Sequence, residues 1–87
     1  MEKCFSVSLG KVMKGPIPLL DVKHQVIVQA GSPAKAEIAA RQHFRDTRSY
    51  AQVYPAGPIQ KDEEGKKARA VSKRGRCGAW KDFVEGR

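Results

Sequence analysis

The sequence predicts an α+β fold: a small antiparallel β-sheet with one α-helix packed on one face, in the order β-β-α-β-β-β. Three observations carry this expectation. Apolar and polar residues alternate in several short segments, the period of a half-buried strand. One segment, "GSPAKAEIAARQHFRD", couples a helix start signal to good helix formers. Clusters of Pro and Gly punctuate the remainder. A chain of 87 residues has interior for one modest core, so residues 1–87 are expected to form a single domain.

The first strand is "KCFSVSLGKV", with Phe5, Val7 and Leu9 on one side and Cys4, Ser6 and Ser8 on the other. Gly10 interrupts it, either as a bulge or as the end of the strand. "MKGPIPLLD" reads as a loop, because its two prolines cannot donate ladder hydrogen bonds. "KHQVIVQAG" is the second strand, with Val26 and Val28 sharing a face.

The helix is expected from residue 33 to 45. Ser32 is a suitable N-cap and Pro33 suits the first helical position. Ala34, Ala36, Ala39 and Ala40 have high helix propensity. Ala34, Ile38 and Phe44 are expected to reach the sheet, with Glu37 and Arg41 intruding on that face. Asp46 and Thr47 mark the exit.

"RSYAQVYPAGP" supplies a third strand, in which Tyr50, Gln52 and Tyr54 alternate with Ala51 and Val53. "IQKDEEGKK" is polar and turn-like. "ARAVSKRGRCGAWKDFV" suits two strands meeting at "KRGR" as a hairpin, with Gly75 at the positive-φ position and Gly78 marking a bulge. A disordered tail would not be expected to close on Trp80, Phe83 and Val84, and Trp80 is expected in the core.

Seventeen Lys and Arg against nine Asp and Glu give a net charge of +8. The excess is spread evenly: residues 1–60 hold eight bases and four acids, and residues 61–87 hold nine and five. This balance favours a polyanionic partner such as DNA, RNA, an anionic membrane surface or an acidic protein. Cys4 and Cys77 lie far apart without a C-x-x-C pair, as expected of reduced thiols in a cytoplasmic protein. The start lacks an apolar signal region, and the longest apolar run, "VIV", is far too short to span a bilayer, so no membrane association is expected.

No catalytic constellation stands out. His24 and His43 have no motif around them, no serine sits in a nucleophile elbow, and no glycine-rich phosphate loop is present. Two Cys and two His lack the close spacing of a structural zinc site. The expectation is a binder without enzyme activity, metal or cofactor. Lys66, Lys67, Arg69, Lys73, Arg74 and Arg76 would cluster around the last hairpin, with Arg41, Arg45 and Arg48 at the end of the helix. On one shared face these two groups could track a phosphate backbone. Tyr50, Tyr54 and Trp80 could stack on bases if exposed.

Three segments, "VIVQAGSPAKAEIAAR", "YAQVYP" and "SKRGRCGAWKDF", together resemble small phage-encoded anti-CRISPR proteins that inhibit type I surveillance complexes. The resemblance implies a stoichiometric inhibitor that occupies the channel guiding target DNA, in the cytoplasm of the host cell. The partner would then be a protein or ribonucleoprotein complex. The alternative is a small basic nucleic-acid-binding module of a phage or mobile element. An exposed sheet edge leaves a homodimer open.

Overall fold

The structure, a computed structural model, describes residues 3–71 and 78–86. It has six strands and one helix: β1 (Lys3–Met13), β2 (Leu19–Ala30), α1 (Pro33–Phe44), β3 (Tyr50–Pro55), β4 (Ile59–Lys61), β5 (Lys67–Ala70) and β6 (Lys81–Glu85). The strands form one sheet in the order β3-β1-β2-β6-β5-β4. The α+β class stands, but two expectations need correction. The sheet is mixed, because β6 runs parallel to β2 while every other pair is antiparallel. The order also gains a strand, β4, cut from a segment that reads as polar turn.

Both corrections have local causes. β4 and β5 form a hairpin whose turn is held by Asp62. Its Oδ1 accepts from the amides of Lys66 and Lys67 at 2.9 and 3.3 Å, and its carbonyl accepts from Gly65 N–H at 3.1 Å. Gly65 takes φ +69°, a conformation a side chain disfavours. The charged turn residues thus serve a hairpin with short, mostly polar strands. The turn expected at "KRGR", with Gly75, lies outside the described residues. The flanking strands β5 and β6 do pair antiparallel, Lys67 opposite Asp82 and Ala68 opposite Lys81.

The β1–β2 hairpin is longer than the alternation implied. Pro16 and Pro18 fall in its turn, but Met13 and Leu19 to Asp21 continue the strands. A bulge does fall at Gly10, but on the facing strand: the register shifts between Leu9 (opposite His24) and Gly10 (opposite Val22), leaving Lys23 of β2 as the extra residue. A Cβ at Gly10 would overlap the backbone carbonyl of Asp21, so the close crossing requires glycine. β3 covers β1 only from Phe5 to Gly10, and β6 covers β2 only from Val26 to Gln29. The hairpin therefore projects beyond the sheet as a two-stranded arm.

Alternation and register assign the faces. Phe5, Val7, Leu9, Val26, Val28 and Ala30 lie under α1 and form the main core with Ala36 and Ala40. Ser32 caps the helix by accepting from Lys35 N–H at 3.3 Å, with Pro33 next, as expected. Of Ala34, Ile38 and Phe44, expected to reach the sheet, only Phe44 does so. Ala36 and Ala40 are fully buried and Phe44 packs beside them, whereas Ala34 is exposed and Ile38 is 55% exposed. Small side chains at the contact let α1 sit close to the β-branched floor, so a large residue there has no room.

The outermost strands, β3 and β4, are joined by only three residues, Ala56 to Pro58. In a flat six-stranded sheet the edges would stand about 24 Å apart, five spacings of ~4.8 Å. Four Cα steps reach at most about 15 Å. The sheet must therefore curl. Backbone bonds fasten the link at both ends: Ala56 N–H donates to the Cys4 carbonyl at 2.9 Å, and Val71 N–H to the Pro58 carbonyl at 2.9 Å. Inside the curl, on the face away from α1, Ile27 and Ala68 are buried and Lys61 Nζ lies 4.4 Å from the Phe83 ring centroid. Among the described residues no helix is long and apolar enough to cross a membrane.

Ala40→Leu should overpack the contact between α1 and the sheet and lower the unfolding free energy by about 1–3 kcal/mol in urea denaturation. Ile38→Ala, at the position expected to be core, should change it by no more than about 0.5 kcal/mol.

Candidate binding surface

The structure separates the cations that the sequence groups together. Lys66 Nζ lies 3.5 Å from Glu64 Oε2. Arg69 donates to Gln60 Oε1 from Nε (3.2 Å) and Nη2 (2.9 Å), and its guanidinium stacks 4.5 Å from the centroid of Trp80. Trp80 is 41% exposed, at the surface beside β5, in keeping with an edge rather than a core position. Lys67 is exposed next to Asp82 across the strand pair. Lys73, Arg74 and Arg76 lie outside the described residues.

Asp82 links β6 to the helix, its Oδ2 lying 3.2 Å from His43 Nε2. His43 in turn meets Phe44 edge-on, and the other face of that cluster is His24, stacked on Phe44 at 4.4 Å. Both histidines are therefore accounted for by packing at the C-terminal end of α1. Helical geometry turns Arg41 about 200° away from His43. Among the described residues, Lys67 and Arg41 thus lie toward different sides of the helix.

At the helix end the three arginines have different roles. Arg41 is half-buried: Nη2 lies 3.6 Å from Glu37 Oε1, and buried Nη1 has no acceptor among the described residues. Arg45 is the C-cap in the left-handed conformation (φ 53°), its N–H directed at the carbonyls of Arg41 and Gln42, and its side chain is exposed. Arg48 is exposed on the turn into β3.

That turn is organised by Asp46, whose Oδ1 accepts from the amides of Arg48 and Ser49 at 3.0 Å each while Ser49 Oγ donates to Oδ2. The Ser49 hydroxyl, followed by the Ser49 and Arg48 amides, lowers the Asp46 pKa from 3.8 to about 2. Inside the curl, burial raises the pKa of the Cys4 thiol, partly offset by the positive charge of Lys61.

Arg48 does not join Arg41 and Arg45 in one cleft. It faces a different one of about 330 Å³, lined also by Gly10, Lys11, Val12, Lys23, Ser49 and Tyr50. Lys11 and Lys23 escape sequence reasoning because they sit in separate strands without a local motif. The Gly10 bulge and the short pairing of β3 bring them to Arg48, and only the strand register could have revealed that. Among the described residues no group of three or more His, Cys, Asp or Glu could hold a metal ion. The chain matches no protein-family model, no curated protein and no solved structure.

Because the folded-state pKa of Asp46 is depressed, its contribution to stability is fully present above about pH 4 and is lost as the pH falls through about 2. Asp46→Asn should accordingly unfold earlier than the parent at pH 6. The difference should shrink between about pH 4 and pH 2 when thermal midpoints are followed by circular dichroism.

Proposed function

We propose that the protein is a non-enzymatic binder acting through its cationic surface, as an inhibitor of a type I CRISPR surveillance complex that blocks engagement of target DNA. One observation carries the reading. Lys11, Lys23, Arg45, Arg48 and Lys67 are exposed, and among the described residues none has a carboxylate within 4.0 Å. Unneutralised cations on several sides of so small a domain favour a partner that surrounds it with negative or phosphate-guiding surface. Lys66, Arg69 and Arg41, each engaged by neighbouring side chains, have the lesser part in this reading. The resemblance of the helix and closing segments to anti-CRISPR proteins supplies the class of partner.

A second reading, a small nucleic-acid-binding module, is favoured by the exposure of Tyr50, Tyr54 and Trp80, of which Tyr50 shares a cleft with Lys11, Lys23 and Arg48.

The two separate in one pair of titrations, with purified type I surveillance complexes and with labelled duplex DNA, single-stranded DNA and RNA at two salt concentrations. The inhibitor reading expects tight binding to a complex, loss of its target-DNA binding, and weak binding to bare nucleic acid. Changing Arg45, Arg48 and Lys67 to Ala should weaken the complex at least tenfold, about 1.4 kcal/mol. Tight binding to bare nucleic acid that falls steeply with salt, with no effect on any complex, would replace the inhibitor with the module.

A further inference from the structure

We propose that the cleft at the root of the β1–β2 arm is a nucleotide site, taking one phosphate and one unstacked base of a single-stranded nucleic acid. The inference rests on the nucleic-acid reading and gives it a location. Lys11 comes from β1, Lys23 from the bulged part of β2, and Arg48 from the turn before β3, and all three line the same cleft. Cations drawn from three elements repel one another unless an anion lies between them. Two carboxylates belong to the same elements. Asp21 stands opposite Lys11 in the hairpin register, and Asp46 is engaged by Arg48 N–H and by Ser49. Neither forms an ion pair with the three cations among the described residues.

The aromatic component is Tyr50, which lines the cleft and is 56% exposed. Its register partner is Gly10, which adds no side chain to the floor beside it. Ser49 contributes a hydroxyl at the same rim, although that group already donates to Asp46. Cations around one phosphate with an exposed ring alongside match the recognition of single strands, in which bases stack on aromatic side chains and Lys or Arg follow the backbone. A duplex would keep its base faces covered and leave Tyr50 without a role.

The test is fluorescence anisotropy of a labelled short oligothymidylate and of a duplex, each titrated across a salt series. The triple variant Lys11→Gln, Lys23→Gln, Arg48→Gln should reduce the salt dependence of single-strand binding by about 0.7 units of log–log slope, the value for one neutralised phosphate on a single strand. Tyr50→Ala should weaken single-strand binding about tenfold, within the range for one stacked base, and leave duplex binding unchanged, while Tyr50→Phe restores it.

All these positions are exposed, and thermal midpoints equal to the parent's would exclude a folding defect. Lys3→Gln with Lys35→Gln, both exposed and outside the cleft, serves as a remote control for general charge. The proposal is overturned if the triple variant loses no more slope than the control pair scaled to three charges, or if Tyr50→Ala is silent. If the parent binds no oligonucleotide yet captures a surveillance complex, this site is overturned and the inhibitor reading stands.

Discussion

The three residues between β3 and β4 constrain everything else in this fold. They tie together the two strands that lie furthest apart in the sheet order, and a chain so short cannot cross a flat sheet. The sheet therefore bends around its own inner face. That bend buries Ile27 and Ala68 away from the helix and sets Lys61 over Phe83. The outer face keeps the larger core and receives α1, which can approach because its contact residues are alanines. A small chain thereby gains two apolar layers from one sheet.

The same curvature and the position of the helix distribute the charge. Some cations are absorbed into local structure: Arg69 against Gln60 and Trp80, Lys66 beside Glu64, Arg41 beside Glu37. Others stand clear of acids, and they come from elements far apart in sequence. Two acidic residues are used to shape turns. Asp46 fixes the entry to β3 and Asp62 fixes the β4–β5 hairpin, so neither neutralises the exposed lysines and arginines. The result is a domain in which Asp46 and Asp62 are turned to backbone amides while much of the positive charge meets solvent.

The legible parts of the sequence were those governed by nearest neighbours. Ser32 and Pro33 announce the helix start, and the alternation of Phe5, Val7 and Leu9 announces a strand under the helix. The parallel pairing of β6 with β2 was not legible, because no local pattern records which strands meet. Nor was β4, since Ile59, Gln60 and Lys61 have the composition of a loop and become a strand only through pairing with Ala68 to Ala70. Ile38 misled for a related reason: apolar character marks residues able to be buried, but Ile38 lies two positions, about 200° around the helix, from buried Ala36 and Ala40. The basic residues announced a charged surface without its layout. Lys11 and Lys23 needed the bulge at Gly10 to meet Arg48.

The central position of β6 has a consequence for how the chain matures. Residues 81–85 form the last strand in sequence, yet they sit between β2 and β5 and are what joins the β3-β1-β2 half to the β5-β4 half. During synthesis, everything up to β5 can emerge from the ribosome as two separate sheet fragments with an unfilled slot between them. The slot exposes the hydrogen-bonding edge of β2 along Val26 to Gln29, beside the buried row of Val26, Ile27 and Val28. Its closure depends on contacts between residues more than fifty positions apart, the kind of pairing that slows folding and leaves nascent chains open to wrong partners. The complete six-stranded sheet therefore cannot form until translation has passed residue 85.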